Sequence, residues 1–202
     1  MKQSIALIVI VIAALLTAPS WVSQNKKPIA AHLTKVVKNV KYRASPTVGW
    51  SQASAMTELN PGCEVRIQEG SFALIKFMDE SQFILRAKTC VRITGEVSDD
   101  KFENLGLFME YGEIAFAMNT RDTGQLRIGS PISVALVQRA EGAITYDAVA
   151  GQASITIARG SAEFSSTLTG CKVMVQSGHP GVIDSAGCRN EMPTHGSVKN
   201  RP

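Results

Sequence analysis

Apolar and polar residues alternate with a period of two through most of this chain, most clearly between residues 61 and 95. Cys63, Val65 and Ile67 alternate with Glu64 and Arg66, and Ala73, Ile75 and Phe77 alternate with Leu74, Lys76 and Met78. After a turn at Asp79-Glu80-Ser81 the pattern resumes through Phe83, Leu85 and Ala87. Period-two patterning cut by turn residues every eight to ten positions, roughly, predicts strands that bury one face and solvate the other. The same reading gives strands over 55–59, 63–67, 73–78, 83–87, 90–93, 106–109, 113–118, 125–128, 133–137, 143–146, 153–158, 162–166, 171–176 and 181–183, with glycines and polar clusters between them. No segment sustains a 3.6-residue period, so helix content is expected to be low. The fold class is all-β, with many short strands in a solenoid-like or two-sheet β-sandwich stack behind an N-terminal signal or anchor helix. A faint echo between Arg66-Ile67/Ser71-Phe72-Ala73-Leu74 and Arg127-Ile128/Ser133-Val134-Ala135-Leu136 suits such a stack, as does chance.

Two stretches break the alternation. Residues 5–16 form an unbroken apolar run behind Met1-Lys2, followed by Thr17-Ala18-Pro19-Ser20. The run is shorter than the ~20 residues of a membrane span and suits the h-region of an export signal. Residues 1–23 are therefore read as a cleaved signal peptide, with an uncleaved anchor over 4–22 as the alternative; both place the domain in the periplasm or outside the cell. Residues 24–47 are read as a basic linker with an edge strand over 34–42, residues 48–188 as the domain, and 189–202, rich in polar residues, as a disordered tail.

Composition narrows the picture. With 202 residues and 45% hydrophobic content the chain holds one ordinary domain. The net charge of +4 is concentrated in Lys26, Lys27, Lys35, Lys38, Lys41 and Arg43. That distribution speaks against nucleic acid, which asks for basic residues with aromatic neighbours on a folded face. The cluster is read as a solvated linker, with docking on an acidic envelope polymer or lipid surface as the alternative. Four cysteines, Cys63, Cys90, Cys171 and Cys188, follow the export signal and are read as two disulfides. Spacing favours Cys63–Cys90 and Cys171–Cys188, each worth roughly 3 to 4 kcal/mol in the chain-entropy account. A zinc site asks for close-spaced pairs such as C-x-x-C, which are absent.

Candidate chemistry is sparse. His32, His179 and His195 fall in the linker, a Gly-Pro turn and the tail, and no nucleophile elbow, phosphate loop, dinucleotide fingerprint or H-E-x-x-H occurs. No enzyme activity, cofactor or metal is expected; Asp99, Asp100 and Glu103 are read as a solvated loop, with calcium as the alternative. Trp50 is read as a plug in the core, with ligand stacking as the alternative.

The succession Trp50, Leu59, Gly62, Val65-Arg66-Ile67, Gly70-Ser71, Ala73, Ile75, Phe77, Asp79-x-Ser81, Phe83-x-Leu85 and Val91-x-Ile93 resembles the FecR domain of bacterial envelope proteins. Looser similarity continues through Leu107, Tyr111-Gly112-Glu113-Ile114, Phe116, Ile128-x-x-Pro131, Ala135, Val137, Ile155-x-Ile157 and Arg159-Gly160-Ser161, so that it spans about residues 48–187. The sequence departs from that pattern at Cys63-Glu64, at Glu80 where the family often has glycine, and at Arg139-Ala140-Glu141 in place of an R-G-T-like turn. Regulators of the iron-transport type carry a sigma-factor-binding segment before the membrane helix, where this sequence shows only residues 1–4, so an anti-sigma regulator of that design is not expected. The resemblance implies a stand-alone, non-catalytic sensory or interaction module that binds an envelope protein or cell-wall polymer, with no nucleic acid partner. A structural or adhesive envelope protein held by disulfides is the alternative.

Overall fold

The computed structural model describes residues 29–98, 101–119 and 125–190, without the side chains of 97–98 and 101–103. The signal or anchor segment, Lys26, Lys27, the acidic loop at Asp99-Asp100, the side chain of Glu103, and the tail from residue 191 lie outside that description. The described residues form strands and turns with no helix. In chain order the strands are β1 (Ala31–Val37), β2 (Val40–Arg43), β3 (Ser51–Gln52), β4 (Glu58–Leu59), β5 (Glu64–Ile67), β6 (Phe72–Phe77), β7 (Gln82–Leu85) and β8 (Thr89–Ser98). They continue with β9 (Lys101–Ala117), β10 (Leu126–Gly129), β11 (Ser133–Asp147), β12 (Gln152–Ser166), β13 (Lys172–Gln176), β14 (Gly181–Asp184) and β15 (Gly187–Asn190).

The sheet is continuous and mixed, and its registers divide it into two runs. One run is β3-β2-β5-β8, the first half of β9, β10, the first half of β11, the second half of β12, and β13. The other is β4-β1-β6-β7, the second halves of β9 and β11, the first half of β12, then β14 and β15. Residues buried on one face of each run, Val65, Ile67, Ile93, Leu107 and Ile128 from the first and Ile75, Phe83, Ile114, Ile144 and Ile155 from the second, join one apolar cluster. The all-β class of the sequence reading is thus one large mixed sheet whose two runs share an apolar cluster. Burial of each large apolar side chain contributes about 1.5–3 kcal/mol.

Three long strands connect the runs, which is why pairs of predicted strands (106–109 with 113–118, 133–137 with 143–146, 153–158 with 162–166) are single bent strands. Their bends have identifiable causes. Gly112 turns β9 at φ +113°, and a Cβ there would lie 2.5 Å from Thr89 Cα and 2.7 Å from the Lys88 carbonyl oxygen. The Thr89 hydroxyl closes this corner, accepting from Glu113 N at 3.0 Å and donating to Glu113 O at 3.1 Å. Gly160 turns β12 at φ +84° against Arg139, itself at φ 50°, so the left-handed residue falls on Arg139 at the position where the resemblance suggests a glycine-containing turn.

The basic stretch is strand where described. Ala30, Ala31 and Leu33 are fully buried, β1 pairs with both β6 and β4, and β2 pairs with both β5 and β3. The single edge strand expected over 34–42 is two strands, broken where Lys38 adopts φ 62°: residues 35–37 of β1 pair with β6 alone, while β2 lies between β5 and β3. Arg189 and Asn190, expected in the tail, belong to β15. The suggested echo is not a structural repeat, since β10 and β11 form a hairpin while β5 and β6 lie in different runs. Glu80, where the resemblance suggests glycine, adopts φ 72° beside an Asp79 carboxylate that accepts from Ser81 N at 3.0 Å and Ser81 Oγ at 2.8 Å.

Of the two expected disulfides only Cys171–Cys188 forms, with Cα atoms 5.9 Å apart. Cys63 and Cys90 are free and buried. The Cys63 carbonyl accepts from Ile93 N at 2.8 Å, whereas Cys90 stands opposite Arg66. Three positions along a strand separate them by about 10 Å, beyond the ~7 Å that a disulfide tolerates. They also point apart: Cys63 enters the apolar cluster with Val65 and Ile67, and Cys90 lies on the other face with Arg66.

Candidate functional site

The outward face of the first run gathers the residues that the core does not use. Because Val65 and Ile67 point inward, Glu64 and Arg66 point outward. Register then aligns two rows across the strands: Arg43, Glu64, Arg92 and Phe108 in one, and Lys41, Arg66, Cys90 and Tyr111 in the other. A register shift between Cys90 and Val91 against β9 gives Glu110 and Tyr111 to the same face, Glu110 meeting Arg92 at 3.4 Å. The loop from β2 to β3 folds back so that Trp50 covers the rows.

Trp50 is half-buried and outside the apolar cluster, which corrects its reading as a core plug. Two guanidinium groups flank it, with Arg43 Cζ 4.6 Å and Arg66 Cζ 4.2 Å from the ring centroid. Cation–π contacts of this kind contribute about 0.5–2 kcal/mol each. Arg43 is fixed on all sides: it donates to Glu64 Oε2 through Nε at 2.7 Å and Nη2 at 2.5 Å, and to the Pro46 carbonyl through Nη1 at 3.0 Å. Glu64 is 5% exposed, so this carboxylate is spent within the fold. Arg92 stacks over Phe108 at 5.1 Å.

Charge on this face is unevenly matched. Among the described residues neither Lys41 nor Arg66 has an ion-pair partner, and the buried Nε of Arg66 has no hydrogen-bond acceptor. Burial raises the pKa of the Cys90 thiol, and the neighbouring Arg66, which hydrogen-bonds it, works in the opposite direction. Burial also raises that of Tyr111, with Cys90 adding to the shift. Cys90 at neutral pH is accordingly a weak partner for Arg66, not a reactive thiolate. On the inward side, burial and the adjacent Cys63 push Tyr42 up to about 12, and its hydroxyl lies 3.9 Å from Cys63 Sγ.

Beyond Phe108 the face opens into a groove of about 460 Å³ lined by Thr94, Glu96, Asn104, Phe108, Arg127 and Gly129, among others. Gly129 keeps it open, since a Cβ there would press on the Phe108 ring at 3.3 Å.

Of the residues singled out from sequence, the structure brings together Lys41, Arg43, Trp50 and Cys90. Lys35 lies elsewhere, over the Phe72 ring at 5.3 Å, and Lys38 occupies the turn between β1 and β2. Glu64, Arg66, Arg92, Phe108, Glu110 and Tyr111 were missed as site residues. Their signal was the outward parity of predicted strands, which marks exposure and says nothing about which outward residues become neighbours. Among the described residues no three or more His, Cys, Asp or Glu side chains gather as a metal site, and no described helix is long and apolar enough to cross a membrane.

No family model and no curated protein matches the chain. Among solved structures it is similar to two crystal structures of a Parabacteroides distasonis ATCC 8503 protein described as a "putative anti-sigma factor". The TM-scores are 0.53 and 0.54 at 16% and 14% identity, over 64% of this chain. The chain spans 60% of the length of that protein, and at this identity the likeness is one of fold.

Proposed function

We propose that the chain is a non-catalytic sensory module of the FecR-like type, exported from the cytoplasm and regulating a partner by binding it through the outward face of the first strand run. The observation that carries this reading is Trp50 held between Arg43 and Arg66 on an open sheet face, a side-chain set typical of residues that dominate protein interfaces. The shared fold with a protein described as an anti-sigma factor supports a regulatory role. The Cys171–Cys188 disulfide supports an oxidising compartment. A catalytic role has less support, because the thiol on this face is pushed toward its neutral form.

The test is a photo-crosslinking amino acid placed at position 50, and at the exposed Met78 as a control, in the full chain within its native envelope. One discrete adduct from position 50 alone is expected. Adducts equal at both positions, or turnover of an envelope substrate by the purified protein that a point substitution abolishes, would overturn the reading.

A further inference from the structure

We infer that the outward face of the first run receives an acidic polypeptide segment, lying across Arg66 and Arg92 with an apolar side chain in the groove beside Phe108. This names the partner chemistry of the module proposed above and rests on that reading.

Charge complementarity points to the acidic partner. Arg43 is neutralised by Glu64 and Arg92 by Glu110, but Lys41 and Arg66 have no carboxylate among the described residues. The Arg66 guanidinium lies 4.2 Å from the Trp50 ring centroid and, among the described residues, meets only the Cys90 thiol below it, so its charge is left without a carboxylate. Its Nε is buried without an acceptor, so the fold itself does not offset the charge of this guanidinium.

The pattern of charge selects a polypeptide over a continuous polyanion. Glu64, Glu110 and Glu96 stand between the basic residues along the face. A phosphate or sulfate chain, carrying charge at every unit, finds Arg43 and Arg92 already neutralised by Glu64 and Glu110 and meets the carboxylate of Glu96, so only two of its charges are matched. A polypeptide places its carboxylates opposite Lys41 and Arg66 and neutral residues elsewhere. Trp50, Tyr111 and Phe108 supply the large apolar contact area that such interfaces use, and the groove accommodates a side chain of the partner.

The experiment uses the full chain and three probes: a labelled synthetic peptide alternating glutamate with leucine and phenylalanine, the same peptide with lysine for glutamate, and inorganic polyphosphate. Fluorescence anisotropy is expected to give binding of the acidic peptide about tenfold or more tighter than the lysine peptide, weakened severalfold when salt rises from about 50 to 300 mM. Arg66→Ala is expected to weaken it about tenfold, and Lys41→Glu, whose side chain leaves the core untouched, about threefold or more. Equal binding of the two peptides, no effect of Lys41→Glu, or displacement of the acidic peptide by polyphosphate would each overturn the inference. A position-50 adduct whose contacting segment is not acidic would sink this inference and leave the module standing. Loss of the adduct altogether would remove the module reading itself.

Discussion

Cys171, just before β13, and Cys188, within β15, are bridged at one border of the sheet, while Cys63, just before β5, and Cys90, within β8, sit in its interior and never meet. Both pairs are close in sequence and both members of each are ordered, so proximity along the chain is not what separates them. β13 ends one strand run and β15 ends the other, and the bridge ties the two beside the hydrogen bond from Asn190 Nδ2 to the Met174 carbonyl at 3.3 Å. At the β5–β8 border the sheet needs no such tie. Register places Cys63 and Cys90 three positions apart, and alternation sends one thiol into the core and the other beneath Arg66. The lesson is that a disulfide in a sheet is decided by register and facing, two quantities that sequence separation does not contain.

The largest expected break in this comparison comes from removing the bridge. Cys171→Ser with Cys188→Ser is expected to cost about 3 kcal/mol by the loop-entropy account for a separation of 17 residues. Urea denaturation with and without reductant checks it: wild type should fall to the level of the double variant under reductant. A wild-type midpoint that ignores reductant would show that the bridge contributes nothing.

Next come the free cysteines, which should differ from each other. Cys90→Val removes the group that Arg66 meets on its buried side and is expected to cost about 1–3 kcal/mol. Cys63→Val, a near-isosteric change within the apolar cluster, should cost less than about 1.5 kcal/mol. The same denaturation series reads both, and equal losses would contradict their placement on opposite faces.

The Cys63 side also carries an alkaline sensitivity that the bridged border lacks. Tyr42 has its folded pKa raised from 10.0 to about 12, so the fold favours the neutral phenol. That contribution is complete below pH 10 and is lost as pH rises from 10 through about 12. Unfolding midpoints measured across this window should fall in wild type and fall less steeply in Tyr42→Phe.

The smallest effect belongs to the bridged border. Asp184 in the β14–β15 hairpin has its pKa lowered below 3.8 by hydrogen bonds from Arg189 and the Ala186 backbone. Its contribution is present above pH 3.8 and is lost as pH falls through the lower folded value. Because the pair is exposed, Asp184→Asn should change the acid midpoint only slightly, and a large shift would reveal a role that screening does not allow.

Much of the fold was legible in the sequence, and the reason is local. Strands 63–67, 73–78, 83–87 and 125–128 lie within a residue or two of β5, β6, β7 and β10, because alternation and turn residues act over a few positions. The strands read as separate pairs and found to be continuous were misjudged at Gly112, Arg139 and Gly160. Each of these looks like a turn in sequence and bends a strand in the structure, since whether a left-handed residue reverses or deflects the chain depends on what it packs against. The candidate site was less legible. Lys41, Arg43 and Trp50 were noticed, but as linker and core, and Arg66 was noticed only as a strand residue.

By itself the sequence determined that the chain is all-β, which face of each short strand is apolar, and that basic residues cluster over 26–43. These properties follow from side-chain alternation and backbone sterics within a few residues. Only the tertiary structure decided that the basic segment joins the sheet, that one cysteine pair is bridged and the other divided between faces, and that Trp50 lies between two arginines. Those outcomes depend on the register between strands distant in sequence, where a one-residue slip exchanges inside for outside.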